Sequence, residues 1–312
     1  MTDNTPKVAV ACAWYNRADY IRDTLDSLLA QDLDDFEIVV VNDGSPDPRV
    51  REILDSYDDP RLRVIHQPNS GFTLAIRRAI EASSAPFIAL QGAGDVSHPV
   101  RLRLQWEALQ ANPSAAIAGC HYEVLNLFDG ARQQVVPRLP KRGDVRFVGI
   151  SHGELMYRRD VYQQVSGYRP IFTVGQGADL WMRLLRDHDA VVVSETLYEQ
   201  RYFPDGIAVS PEKVAGRNIM NGVRIENELT FRATGIDHID LYGPAAFSIL
   251  GRRPISRRSL ILAKSSYQYQ LSGRRQTRMQ SLEWSLEARI ATRVFIRQIK
   301  RKYGQFMRRW GG

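Results

Sequence analysis

The chain has 312 residues, 44% of them hydrophobic, a formal charge of +7 and two cysteines. That length and apolar content suffice for a full core plus an appendage and exclude a disordered chain. Cys12 and Cys120 stand alone in apolar or small-residue settings, which excludes a disulfide framework and fits a reducing compartment. The charge is unevenly spread: residues 251–312 hold 16 Lys and Arg against two acidic residues, so this tail stands at +14 and the first 250 residues at −7. A basic tail on an acidic body points to an anionic partner, a membrane surface or a nucleic acid. No apolar run approaches the ~20 residues that span a bilayer, and Met-Thr-Asp-Asn-Thr-Pro-Lys lacks a charged-then-apolar leader pattern. The expected location is cytoplasmic.

Val8–Ala13 reads as a central parallel strand that delivers Trp14-Tyr15-Asn16-Arg17 to its end, followed by an amphipathic helix carrying Tyr20, Ile21, Leu25, Leu28 and Leu29. Trp14 has two readings, stacking on a nucleobase or packing under that helix. Phe36–Val41 is a second buried strand ending in Asn42-Asp43-Gly44-Ser45, a turn sequence, before a Pro48–Tyr57 helix. Asp43 there could be an Asx turn or helix cap. Leu62–His66 is a third strand, leading through Gln67-Pro68-Asn69-Ser70-Gly71 to a Phe72–Ala82 helix. Phe87–Leu90 is a fourth, ending abruptly in Gln91-Gly92-Ala93-Gly94-Asp95, with Pro99 suited to the first turn of the next helix. This alternation implies a doubly wound α/β sheet, whose ligands gather at the carboxyl ends of the strands. The absence of Gly-X-Gly-X-X-Gly after the first strand argues against a dinucleotide fold.

After a helix over 101–112, Ala115–Tyr122, Gln133–Val136, Val191–Val193 and Leu197–Arg201 read as strands of a more mixed half. From Pro211 the pattern is helical. Residues 289–310 place Phe295, Ile299, Tyr303, Phe306 and Trp310 on one stripe among arginines and lysines. Such a basic amphipathic helix suits an anionic membrane surface or docking on protein; nucleic acid ranks third, since no nucleic-acid module accompanies the charge.

Taken in order, these motifs resemble the family 2 glycosyltransferases of the GT-A fold over roughly residues 7–210. The resemblance implies a GT-A domain over 1–210, with a nucleotide-binding half (1–112) and an acceptor half (113–210), and a helical, basic extension over 211–312. It implies transfer of a sugar from a nucleotide-sugar donor to a hydroxyl of a glycan or lipid-linked acceptor, in surface polysaccharide or glycoconjugate synthesis. Tyr15, Asn16 and Arg17 match a strand-then-Tyr-Asn-Arg passage lining the nucleotide pocket. Asp43 matches the Asp-Gly-Ser that reads the base, Asn69 and Gly71 an Asn-X-Gly turn, and Arg77 a position commonly asparagine.

Gly92, Gly94 and Asp95 occupy the place of the family's Asp-X-Asp-Asp cluster, which meets ribose and metal-diphosphate. Only Asp95 keeps a carboxylate there, so Asp95 is the one residue left to ligate the Mn²⁺ or Mg²⁺ expected of the family. Residues 149–168 resemble the acceptor segment, where His152 and Glu154 could face the sugar or cap the helix. Gln176-Gly177-Ala178-Asp179-Leu180-Trp181 resembles a Glu-Asp-X-Asp-Leu-Trp helix start whose first aspartate is the general base. That position is Gly177. Asp179, about 200° further round the helix, is a catalytic candidate or simply a charge at a helix N-terminus. Arg201 matches a Tyr-Arg-X-His strand, and Phe203 replaces its histidine. With metal positions altered, Arg17, Arg77 and Arg201 are the candidate cations for the diphosphate. Two further readings stand beside the enzyme: a catalytically silent homologue that binds a nucleotide, glycan or partner, and a nucleotidyltransferase.

Overall fold

The computed structural model describes residues 5–138, 150–203, 211–246 and 250. The chain divides into two units, Met1–Pro170 with Leu180–Pro204, and Ile171–Asp179 with Asp205–Gly312. The expected boundary after residue 210 and the basic stripe at 289–310 lie outside the described residues.

The first unit is an α/β domain built on nine described strands. β1 (Val8–Trp14) is buried at every position, as a strand covered on both faces must be. It pairs in parallel with β2 (Phe36–Asp43) and β4 (Phe87–Gln91), and β2 pairs in parallel with β3 (Leu62–Gln67). The connections are helices: α1 (Ile21–Leu29) buries Ile21, Thr24, Leu25 and Leu28 at helical spacing, α2 (Pro48–Asp55) starts at an Asp47 cap, and α3 (Phe72–Glu81) starts at Gly71. Trp14 is fully buried in the core beneath them. Packing, not stacking on a base, is therefore its role, and Tyr15, the first residue past the end of the strand, is 48% exposed.

The sheet continues into a mixed half. A short β5 (Val96–Ser97) and helix α4 (Arg101–Ala111) follow β4; Pro99 and Val100 precede the helix rather than opening it. β6 (Ala115–Asn126) carries the edge hairpin strand β7 (Arg132–Val135) and lies antiparallel to β8 (Met156–Arg158), which leads into α5 (Arg159–Gln164). The two strands expected at 191–193 and 197–201 are one strand, β9 (Asp189–Tyr202), running parallel to β6 through a register shift opposite His121. An irregularity of this kind breaks the apolar alternation in sequence without ending the strand. The order is β3-β2-β1-β4-β8-β6-β9-β5. α6 (Gln176–Leu184) belongs to the first unit from Leu180 onward; its first turn belongs to the second. The second unit also holds α7 (Pro211–Thr234) and α8 (His238–Tyr242), where Asp237 caps α8 and accepts from Asn227. No described helix is long and apolar enough to cross a membrane.

Arg101 fastens the carboxyl end of β4 to its surroundings. Its guanidinium is fully buried and donates to Gln91 Oε1 (3.1 Å), Ser97 Oγ (2.9 Å) and the carbonyls of Gly153 (3.1 Å) and Leu90 (2.6 Å). Arg101→Met fills similar space but leaves these acceptors without their donor, at ~1–3 kcal/mol for each one left unsatisfied. The variant is expected to lose roughly 3 kcal/mol or more of stability in urea denaturation; a loss under about 0.5 kcal/mol, typical of surface changes, would show that the network is not holding the fold.

Candidate active site

The carboxyl ends of β1, β2 and β4 are laced together by the residues that the sequence singles out. At the end of β1, Asn16 (φ 56°) and Arg17 (φ 59°) are consecutive non-glycine residues in the left-handed region, a conformation that costs energy and needs outside support. The support is visible: Asn16 N–H donates to Ser45 Oγ beyond β2 (2.9 Å), and Arg17 Nη1 donates to the Ala93 carbonyl beyond β4 (2.9 Å). Asn16 Oδ1 is buried without a partner.

Asp43 is the hub of the neighbouring loop. Its Oδ1 accepts from Gln67 Nε2 (2.7 Å), Ser70 N–H (2.8 Å) and Ser70 Oγ (2.9 Å), its Oδ2 accepts from Gly71 N–H (2.8 Å), and its carbonyl accepts from Asn69 Nδ2 (2.9 Å). Gly44 must lack a side chain, because a Cβ there would lie 2.4 Å from Asn69 N. Asp43, Asn69 and Gly71 thus form one rigid loop, and the contributions of Gln67 and Ser70 carried no sequence signal beyond their place in a turn.

At the end of β4, Asp95 turns away from the strand ends. It is 7% exposed; Oδ2 accepts from the Tyr198 hydroxyl (2.6 Å) and Oδ1 from Arg201 N–H (2.9 Å), both on β9. The Tyr198 hydroxyl also accepts from Gly92 N–H (2.9 Å). A Cβ at Gly92 would stand 2.0 Å from Asp95 Oδ2, one at Gly153 would stand 1.8 Å from the Tyr198 hydroxyl, and one at Gly94 (φ 95°) would stand 2.6 Å from Phe203 Cζ. Tyr198 and Gly153 are the residues that the sequence did not disclose; a tyrosine on a strand is ordinary, and its partner lies over a hundred positions away.

The remaining candidates are not drawn to this place. Arg77 donates to the Tyr168 carbonyl (3.0 Å) and pairs with Glu81 on its own helix (3.2 Å). Arg201 directs its side chain to Asp23 (2.6 Å) and Glu199 (3.0 Å). Both guanidinium groups are held by these acceptors. Glu154 is fully buried, with Oε1 accepting from Ser151 N–H (2.9 Å), and burial pushes its carboxyl well above the usual range. Its Oε1 closes a turn, and its Oε2 is buried without a hydrogen-bond partner. His152 meets the Tyr168 hydroxyl (2.6 Å) and packs on Phe72; burial holds its imidazole neutral, with a pKa pushed down to about 4. In the second unit, Asp179 is buried beside Arg224, whose pKa burial lowers to about 10 against the opposing pull of Asp179 and Glu228. It acts there as a buried counter-charge.

A separate cleft of about 530 Å³ opens beside α2, lined by Asn42, Ser45, Asp47, Arg51, His66 and Gln67 among others. Asn42 points to the face opposite Asp43, and its Nδ2 lies 3.0 Å from His66 Nδ1, while His66 Nε2 lies 2.8 Å from Asp55. None of the residues named for a donor lines it.

The model of the family described as "Glycosyl transferase family 2" matches residues 10–165. The chain is 24% identical to the putative glycosyltransferase EpsE of Bacillus subtilis over 203 residues, 63% of this chain and 73% of that protein. It is 40% identical to the uncharacterized glycosyltransferase EpsJ of the same organism over 120 residues, 38% of this chain and 34% of EpsJ, so it spans about a third of that relative. Among solved structures, it is similar to Staphylococcus aureus TarS 1–349 in complex with UDP, at TM-score 0.60 and 17% identity, covering 96% of this chain and 91% of that one. It is likewise similar to the mannosyltransferase PcManGT from Pyrobaculum calidifontis in complex with GDP-Man and Mn²⁺, at TM-score 0.56 and 16% identity, covering 98% and 88%. At such identities the likeness is one of fold, the GT-A fold.

Asp95 makes the turn pH-sensitive. Burial raises its pKa to about 6, although the Tyr198 and Arg201 hydrogen bonds and the charges of Arg17 and Arg201 oppose the rise. A raised carboxyl pKa means that the folded state binds more protons than the unfolded chain between pH 4 and 6, so the stability that Asp95 contributes is greatest below that window and falls as pH rises through it. At ~1.4 kcal/mol per unit, the change is ~3 kcal/mol. Measured against Asp95→Asn, the wild type should lose that relative stability between pH 4 and 6 in urea titrations; a pH-independent difference would refute the assignment.

Proposed function

The chain belongs to glycosyltransferase family 2, and we propose that it binds a nucleotide-sugar donor at the ends of β1, β2 and β4 and transfers the sugar to a hydroxyl of a glycan or lipid-linked acceptor, in surface polysaccharide or glycoconjugate synthesis. One observation carries the reading: hydrogen bonds from Asn16 to Ser45 and from Arg17 to Ala93 join the loops at the carboxyl ends of three neighbouring parallel strands, the edge at which α/β sheets receive ligands. There Tyr15 supplies an exposed aromatic face for a base, and the rigid Asp43 loop supplies polar backbone. The fold neighbours, whose structures contain UDP and GDP-Man, set the range of bases to try.

A specific observation supports a second reading, a silent homologue that binds donor without transfer. Gly177 stands where the family's base stands, and neither Glu154 nor Asp179 presents a carboxylate in its place. A panel of UDP-GlcNAc, UDP-glucose, UDP-galactose and GDP-mannose, read by thermal shift and then by sugar release and product detection, separates the two. Stabilisation with turnover is the expected result, and Asp43→Ala should weaken binding by ~1–3 kcal/mol. Stabilisation without turnover establishes the silent homologue; no stabilisation by any member removes the donor site.

The tail is proposed to hold the protein at an anionic membrane surface, on the strength of the aromatic stripe and the +14 charge. Sedimentation with phosphatidylglycerol-containing vesicles should be lost on deleting residues 289–312 and weakened by salt. Binding that survives the deletion would place the contact elsewhere.

A further inference from the structure

We propose that His66 is a positioning residue for the turn that follows β1: as a neutral imidazole it fixes the Asn42 amide that holds Ser45 beside Asn16, and on taking up a proton it loosens that hold. The linkage stands on hydrogen bonds of this structure; only its effect on donor affinity rests on the donor-binding reading above.

Each link in this row has one polarity. Asn42 and His66 are partners in the β2–β3 register, so their side chains leave the sheet on the same face. The Ser45 N–H, which can only donate, meets Asn42 Oδ1 (3.2 Å), and this assigns the other end of the amide, its NH₂ group, to His66 Nδ1 (3.0 Å). A donor there requires an unprotonated Nδ1, so the ring proton sits on Nε2 and is donated to Asp55 Oδ1 (2.8 Å). Ser45 Oγ in turn accepts from the N–H of Asn16 (2.9 Å), whose left-handed backbone (φ 56°) needs outside support. The row runs from Asp55 on α2, through His66 on β3 and Asn42 on β2, to the turn beside the exposed Tyr15.

A second proton on the ring breaks the row at one point. Histidine is the side chain that changes charge between about pH 5 and 8, and this ring lines the cleft beside α2, with its side chain 18% exposed. On protonation both ring nitrogens become donors. Nε2–H keeps Asp55, which pairs with an imidazolium as well as with an imidazole, but Nδ1–H now faces the Asn42 NH₂. The amide has a single oxygen. Left in place it opposes donor to donor; turned over, it satisfies His66 and presents its NH₂ to the Ser45 N–H. Either way one hydrogen bond is lost from the support of Asn16. β2 meets the ring with the uncharged Asn42, and the charged groups on its other side are Asp55 and, along the cleft, Arg51, Glu52 and Asp47. Arg51 lies 3.9 Å from Asp55, and Asp47 is held by Arg49 (2.7 Å). Among the described residues, Asp55 is thus the carboxylate in hydrogen-bond contact with the ring.

The test uses the full chain, isotopically labelled, first without and then with nucleotide. In the free protein, the Ser45 and Asn16 amide resonances should move with pH along the same curve as the His66 ring. They should stop doing so in His66→Asn, whose side-chain oxygen replaces Nδ1 as the acceptor for Asn42 and takes up no proton. Calorimetry with UDP and GDP then reads the consequence. For the nucleotide that binds, the wild type should lose ~5- to 10-fold more affinity than His66→Asn between about pH 8 and 5.5, the effect of one hydrogen bond, while the two agree within about threefold at the upper pH. Ionisation of Asp95 and of the nucleotide is common to both chains and cancels in the comparison. Asp55→Asn, at a half-exposed side chain, should move the wild-type curve to lower pH, because the imidazolium loses its carboxylate, and this variant decides the matter if His66→Asn does not fold. Amides that ignore the His66 curve overturn the proposal, as does an Asp55→Asn curve that stays in place, or nucleotide affinities that run parallel in the wild type and His66→Asn. Amides that follow the curve in a protein that binds neither nucleotide uphold the linkage and remove the donor-binding reading instead.

Discussion

The geometry around the candidate site depends on one tyrosine between two buried charges. The Tyr198 hydroxyl donates to Asp95 and accepts from Gly92 N–H, while the Arg101 guanidinium lies over its ring, 5.0 Å from the centroid. Isolated buried charges are costly, and direct pairing is one remedy. Here an aromatic residue mediates instead: its negative ring face meets the guanidinium and its polar edge meets the carboxylate. Arg101 in turn holds the Leu90 and Gly153 carbonyls, so the end of β4 and the 151–155 turn are tied together beneath the Tyr198 ring of β9.

That arrangement makes the unusual residues interdependent. Gly92 is required because Asp95 folds back beneath it, Gly153 because the Tyr198 hydroxyl occupies its side-chain position, and Gly94 because Phe203 closes over the turn. A single reversion toward carboxylate at 92 or 94 would therefore meet filled space. The turn is thus filled by its own side chains.

The sequence made the parallel half legible because its signals are local. Strands β1, β2 and β4 are short apolar runs bounded by turn residues, and α1 and α3 show apolar residues at helical spacing with clear starts. What it could not show were choices settled by distant contacts. Trp14 or Tyr15 as the exposed aromatic depends on where the covered strand β1 ends. Arg77 and Arg201 read as pocket cations until the fold brings the Tyr168 carbonyl and Asp23 within their reach. Glu154 and Asp179 read as catalytic candidates, and both are buried, one in its own turn and the other beside Arg224. Residues 289–310 lie outside the described residues, and their stripe remains a property of sequence.

The three arginines also show why a cation near a strand end is not equivalent to a cation in a site. All three carry long side chains that follow the nearest fixed acceptor, and a carboxylate in an exposed or half-buried position captures two of them. Arg17, three residues past the end of β1 and in the left-handed region, reaches the Ala93 carbonyl beyond β4 and the Phe203 ring beyond β9. The charge of Arg17 also bears on Asp95, where it opposes the rise that burial imposes on the carboxyl pKa, so the arginine is part of the turn's own electrostatics.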